Sequence, residues 1–333
     1  MIGYYVHHHG RGHLTRAAAL AASWRRDGGP AVTGLSTLPR PGGWDGEWVQ
    51  LPPDDDGPPP RDATAGAQLH WAPLGDPGIR ARAAAISAWL AAAAPSAVVV
   101  DVSAETALLA RLHGVPVVSV VLPGRRADAA HLTGFRAATA LVAFWPDADA
   151  DGMTPGLPAD VARRIVAVGA VSRFSPGVPR QGSSCPGGRC AVLLQGSGGE
   201  ALSTATAAEL TAATGWSWTV LGGGAPWVED PSGVLAASDV VVTSAGQGSL
   251  ADVAALRRPA VVVASPRPFD EQHATAAVLG RGGWPAVVVA SAADAVQAAT
   301  LERAAALDGE AWAPWCDGGA AGRLRAVLES VAP

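Results

Sequence analysis

Lysine is absent from this chain: all 24 of its basic side chains apart from histidine are arginine. The P-loop, G-x-x-x-x-G-K-[ST], is therefore excluded, because its lysine has to reach the terminal phosphates. The absence itself reads as a bias toward GC-rich codons. Cysteine is scarce, at three residues, too few for a disulfide framework. Cys185 and Cys190 stand close together in SSCPGGRC, but a lone pair with no histidine beside it makes a poor zinc site. Both are expected to be plain thiols, and Cys316 to lie near the surface. No window approaches eighteen consecutive apolar residues, which excludes a membrane-spanning helix. The start has no basic region followed by an apolar run, so no secretory signal is read and a cytoplasmic location is expected. The net charge of −5 argues against nucleic acid as the main partner.

What the chain does have is length and aliphatic mass. Its 333 residues suffice for two domains with substantial cores. Apolar residues make up 49%, the excess being alanine and valine, so helices should be Ala-rich and strands Val-rich. Valine runs alternate with Ala-rich stretches throughout, the pattern of βαβ units and parallel sheets. Strands are expected at 2–6, 31–36, 96–101, 115–121, 140–145 and 164–169. These runs are apolar on both faces, as strands covered by helices on both sides should be. Helices are expected at about 14–26, 79–93, 104–113 and 127–137. Residues 39–66 are too rich in proline, glycine and aspartate for regular structure, apart from a short strand at 48–51, and read as a long surface loop or lid.

Residues 172–189 form the best linker candidate. Beyond it the alternation restarts, with strands at 190–195, 217–222, 239–244, 259–264 and 285–290. Helices are expected at 200–213, 247–256, 271–280 and 292–307, and the tail at 322–331 reads as a last amphipathic helix. The fold class is α/β, two Rossmann-like domains facing a cleft, with a C-terminal helix that can cross back to the first domain. The boundaries read as 1–171, a linker at 172–189, a second domain at 190–315, and the terminal helix at 316–333. In open α/β sheets ligands sit at the carboxyl ends of the strands.

Three Gly-rich turns fall at such ends: HHHGRGHLTRA behind the first strand, QGSGGEA at 195–201 and SAGQGSLAD at 244–252. Each offers backbone N–H groups and the positive end of a helix dipole to an anion. None fits G-x-G-x-x-G with its acidic partner, so a nicotinamide site is not expected. The histidines of HHHGRGH are not read as a purification tag, because tags carry more histidines and precede the fold.

The stretch SDVVVTSAGQGSLADVAALRRPAVVVASPRPFDEQHATAAVL, residues 238–279, resembles the second domain of the GT-B glycosyltransferases, in particular the MurG-like enzymes and the UDP-glycosyltransferases. The family's elements match Gly246, Ser249, Asp252, Pro259, Pro266 and Asp270-Glu271-Gln272 in order. QGSGGEA resembles the phosphate turn opening that domain, and GHLTRA the G-H turn of the first. There are departures: Ser244 stands where the UDP-glycosyltransferases often have histidine, Asp252 where many relatives have glutamate, and Thr275 where asparagine is usual.

The resemblance implies a hexosyltransferase that moves a sugar from a nucleotide-diphosphate sugar, UDP favoured, to an acceptor hydroxyl, with inversion. It implies no cofactor beyond the nucleotide sugar as co-substrate, and no metal. Donor binding would fall to Gly196, Ser197, Gly198, Gly199, Val228, Ser244, Gly246, Gln247, Gly248, Ser249, Asp252, Asp270, Glu271 and Gln272. His13 would be the general base, with Asp101 fixing its tautomer. His8, His9, Gly10, Arg11 and Gly12 would lie on the acceptor side, and His7 is read with them as an acceptor-side or packing residue. The acceptor is left open among lipid-linked sugar, polysaccharide end and natural-product aglycone, as is a peripheral membrane contact. The competing readings are a sugar-nucleotide epimerase of the same fold and a non-catalytic nucleotide-sugar-binding homologue.

Overall fold

The computed structural model describes residues 1–55, 60–177, 188–196, 202–226 and 228–332. The chain divides into two compact units, the first comprising 1–144, 156–168 and 321–333, the second 145–155 and 169–320.

The first unit is built on β1 (Ile2–Val6), α1 (Gly12–Arg26), β2 (Val32–Ser36), β3 (Trp48–Gln50), α2 (Pro77–Ala93), β4 (Ala97–Asp101), α3 (Ala104–Leu112), β5 (Val117–Val121), α4 (Ala129–Ala137) and β6 (Ala140–Ala143). The chain then makes one short helix of the second unit, α5 (Ala150–Met153), and returns through α6 (Ala159–Ala162) to β7 (Ile165–Ala167). The seven strands form one parallel sheet in the order β3-β2-β1-β4-β5-β6-β7. β1, β2, β4 and β5 are buried along their whole length, which is why their sequences are unbroken apolar runs. The helix starts have local causes: Asp76, Ser103 and Asp128 each accept a backbone N–H in the first turns of α2, α3 and α4.

The second unit holds β8 (Cys190–Leu194), α7 (Ala207–Thr214), β9 (Ser217–Leu221), α8 (Ser232–Ala237), β10 (Val240–Ser244), α9 (Gln247–Ala255), β11 (Ala260–Val263), α10 (Glu271–Leu279), β12 (Ala286–Val289), α11 (Ala292–Ala295) and α12 (Ala298–Ala305). Its five strands are parallel in the order β12-β11-β10-β8-β9. Leu193, Val242, Val261, Trp216 and Leu301 lie in its core. The last helix, α13 (Ala320–Val331), belongs from Ala321 onward to the first unit.

The structure departs from the sequence reading at several points, and the short helices α5 and α6 had no counterpart in it. The helix expected from 200 starts at Ala207, because Thr206 and Glu209 form a reciprocal capping box that fixes the entry there. The helix expected over 292–307 is two, α11 and α12, broken where Gln297 turns extended. α8 was not foreseen. Cys316, expected near the surface, is buried. Of the 39–66 segment, residues 39–55 and 60–66 are loop around β3, pinned by buried Trp44 and Leu51; residues 56–59 lie outside the described residues. Cys190, expected to be a plain thiol, is disulfide-bonded; within the linker candidate, residues 178–187 lie outside the described residues, and with them Cys185.

Candidate active site

In the first unit β1 and β4 are neighbours, with Val6 opposite Asp101. The parallel register therefore sets Asp101 at the same sheet edge from which the chain leaves β1 toward α1. His13 stands in the first turn of that helix, and its Nδ1 lies 2.9 Å from Asp101 Oδ1. Arg16 Nη2, a donor, also approaches Nδ1 at 3.2 Å, but the shorter contact is to a carboxylate that can only accept; with Nδ1 donating to it, the Nε2 lone pair is left for chemistry.

A residue absent from the sequence reading completes the group. Arg16, one turn beyond His13, grips both oxygens of Asp101 from one nitrogen, Nη2, at 2.7 and 2.8 Å, and its Nε adds a third contact at 3.2 Å. Its guanidinium stacks 4.6 Å over Phe144. The Tyr4 hydroxyl donates to Asp101 Oδ2 at 3.3 Å. Asp101 has no solvent exposure. Burial works to raise its carboxyl, but the Arg16 charge and then His13 outweigh it and hold the group well below the usual carboxylate range. Tyr4 is driven up by burial and by the Asp101 charge. The signal for Arg16 was an arginine at i+3 from His13 in an otherwise alanine-rich helix, placing both on one face.

His7, His8 and His9 gather in the turn before α1. His7 and His9 rings lie 4.9 Å apart and His7 and His13 rings 5.8 Å. Burial first, then the neighbouring histidines, push His7 down to about 3. His8 Nε2 meets Asp55 Oδ2 at 3.2 Å. Gly10 has φ +76°, a conformation that favours glycine, while Arg11 and Gly12 are exposed at the helix start.

The sequence reading also missed a second polar group in this unit. His70, Asp128 and His131 converge, with His131 Nδ1 2.5 Å from Asp128 Oδ2 and His70 Nε2 3.1 Å from His131 Nδ1. Arg126 Nη1 faces His131 Nε2 at 3.1 Å. His70, Arg126 and His131 border a small cavity of about 30 Å³ that is also lined by Val102, Ser103, Ser119 and Phe135. Val102, next to Asp101, has φ +70°. For a β-branched residue this is a strained conformation.

In the second unit the β10–α9 turn carries Ser244, Gly246, Gln247, Gly248 and Ser249. Gly246 caps α9 and accepts from Leu250 N–H at 3.0 Å. A Cβ on Gly248 or on Gly196, just after β8, would meet nothing within 4 Å. Packing therefore does not demand glycine at either place, and the backbone is open to a close-approaching group. A Cβ on Gly246 would sit 3.6 Å from Ser244 Oγ and 3.7 Å from Gln272 Nε2, so these three residues share one spot. Gln272 is buried, and its Oε1 accepts from Ser265 N–H at 2.9 Å. Before it, Phe269 and Asp270 both have left-handed φ, +60° and +55°, and Glu271 opens α10. Asp252 faces inward: Ser172 Oγ donates to its Oδ1 at 2.7 Å and Arg173 Nε to its Oδ2 at 3.0 Å. Burial pushes this carboxyl up against the pull of Arg173. Val228 stands exposed between β9 and α8. Ser197, Gly198 and Gly199 lie outside the described residues.

No family model matches the sequence, and no curated protein matches it either. Solved structures do. The glycotransferase of kitacinnamycin superposes with a TM-score of 0.63 at 17% identity, over 100% of this chain and 98% of that one. MurG of Acinetobacter baumannii gives 0.60 at 16%, over 99% of both chains. UGT89C1 of Arabidopsis thaliana, solved with UDP, gives 0.65 at 14%, over 99% of both. The fold is the GT-B fold.

Proposed function

We propose that this protein is a glycosyltransferase that moves a sugar from a nucleoside-diphosphate sugar, UDP favoured, onto an acceptor hydroxyl with inversion. The observation that carries the reading is the His13–Asp101 pair, held at 2.9 Å at the sheet edge and locked by Arg16, in a chain with the fold of sugar-transferring enzymes. The acceptor oxygen bonds the anomeric carbon while its proton passes to His13 Nε2. The bond from that carbon to the diphosphate oxygen breaks, and its electron pair leaves with the diphosphate. Asp101 keeps Nδ1–H in place and balances the imidazolium that forms.

The leaving charge is met by backbone N–H groups: the first turn of α9 at Gln247, Gly248 and Ser249, and Gly196 behind β8. Such a site needs no divalent metal. Asp252 is the carboxylate assigned to the ribose hydroxyls; it is buried and bonded to Ser172 and Arg173, so a ribose hydroxyl has to displace one of these donors to reach it. Asp270, Glu271 and the Gln272 amide read the sugar hydroxyls, with Ser244 and Val228 at the margin.

The test is nucleotide release from UDP-, GDP- and TDP-sugars, with and without hydroxyl acceptors. His13→Ala should lower turnover by about 10²–10⁴-fold and leave nucleotide affinity intact. Asp101→Asn should lower it less. Full activity in His13→Ala removes the base from this reading, and activity abolished by EDTA and restored by Mg²⁺ removes the metal-free mechanism.

A further inference from the structure

The three histidines behind β1 share a geometry that the transfer reaction does not use. One ring nitrogen from each of His7, His8 and His9 lies within 4.8 Å of the other two. His9 Nδ1 and His7 Nε2 are 3.3 Å apart, and two imidazole nitrogens bound at about 2.0–2.1 Å to one tetrahedral ion are separated by about 3.3 Å. The tautomers follow from Asp55, whose Oδ2 lies 3.2 Å from His8 Nε2 and 3.8 Å from His9 Nε2. A carboxylate only accepts, so the 3.2 Å contact draws the His8 proton to Nε2 and leaves its lone pair on Nδ1, and the same charge 3.8 Å from His9 Nε2 favours that tautomer without a hydrogen bond. Among the described residues His8 Nδ1 is buried without a hydrogen-bond partner, an arrangement that costs free energy unless something occupies it. A carboxylate on the outer nitrogen with a lone pair on the inner one is how metal-ligating histidines are oriented.

We propose that His7, His8 and His9 form a three-imidazole site for a divalent cation of the zinc class, with Asp55 holding the outer nitrogens of His8 and His9. The ligand set is all nitrogen, which suits Zn²⁺ and Co²⁺ and not Mg²⁺ or Ca²⁺. Three protein ligands leave a fourth position for water.

Two other clusters lie in this unit among the described residues: His8 with Asp54 and Asp55, which shares His8 and supplies its outer carboxylate, and His70, Asp128 and His131, which does not compete. Arg126 donates to His131 Nε2 at 3.1 Å and so puts that ring's proton on Nδ1. The proton is spent on Asp128, and His131 has no Nδ1 lone pair to offer.

The experiment uses the full chain without a histidine tag, stripped of metal and titrated with Co²⁺, with visible absorption reporting tetrahedral coordination. One equivalent should bind, and Zn²⁺ should displace it. His9→Ala removes a ligand whose side chain is 68% exposed and should lower affinity at least tenfold with the melting temperature unchanged. Asp55→Asn should lower it by about 10–100-fold, the usual worth of an outer-shell carboxylate, and Asp128→Asn should leave it unchanged. Absence of saturable binding, or equal affinity in wild type and His9→Ala, overturns the proposal. Binding is read without turnover, so its failure leaves the transfer reading untouched.

Discussion

Asp101 is a fully buried carboxylate, and a charge in that position survives only if it is paired. Arg16 is its main partner, so Arg16→Met should cost about 3–5 kcal/mol, the range for breaking a buried pair from one side. Urea unfolding of the purified variant measures it, and a loss below about 1 kcal/mol would show that Tyr4 and His13 suffice. His131 gives a pH dependence. Burial, against the pull of the Asp128 contact, brings its folded value down to about 4, while an unfolded imidazole takes up its proton near 6.5. Between those values the unfolded chain binds more protons, so stability falls as pH drops from about 6.5 to about 4, and above 6.5 this contribution is flat. The ceiling is about 3 kcal/mol. In His131→Gln the decline across that window should be shallower; equal slopes in both proteins would refute the assignment.

At the scale of elements, local chemistry set the starts that the alternation of strand and helix blurred. The capping box of Thr206 and Glu209 overrode the Ala-rich run before it, and Thr206→Ala should cost about 1 kcal/mol in thermal unfolding of the second unit. α3 and α4 meet backbone to backbone at Gly134, where a Cβ would come within 3.0 Å of Ala104 Cα and Cβ. Its φ is not in the left-handed region, so Gly134→Ala isolates the packing contact and should lose about 1–3 kcal/mol by overpacking. An unchanged melting temperature would mean that the two helices can part freely.

For the whole molecule, the division into two units makes binding and stability separable. A nucleoside diphosphate held at the β10–α9 turn should protect the second unit's amides from hydrogen exchange, by about 2.7 kcal/mol at a hundredfold excess over Kd, with little effect on the first sheet. Uniform protection, or none, would count against the donor site. The last helix belongs to the first unit: Leu324 and Leu328 are buried, Trp24 Nε1 donates to Ala321 O at 2.8 Å, and Arg323 Nε to Val168 O at 2.9 Å. Truncation before Ala320 should therefore loosen β1 and α1 while the second sheet keeps its protection.

The sequence by itself determined the parallel α/β architecture, because strands buried on both faces must be unbroken apolar runs and valine supplied them visibly. The pairing of His13 with Asp101 was implied by the family resemblance, and the parallel register of β1 and β4 supplies its physical reason. Only the tertiary structure decided what surrounds them. Arg16 became a partner of Asp101 because β4 lies beside β1, a pairing between positions 85 residues apart that no local pattern encodes. Asp252 was legible as an acidic residue one turn into its helix. That it would be buried against Ser172 and Arg173 depended on how a separate loop returned. Gln272 was read as a donor-binding residue, and its side chain is also a buried brace that accepts from Ser265 N–H. The amphipathic stripe of α13 announced a helix, but which unit it would cover was settled by the packing of Trp24 and its neighbours, because an apolar face specifies burial without specifying a partner.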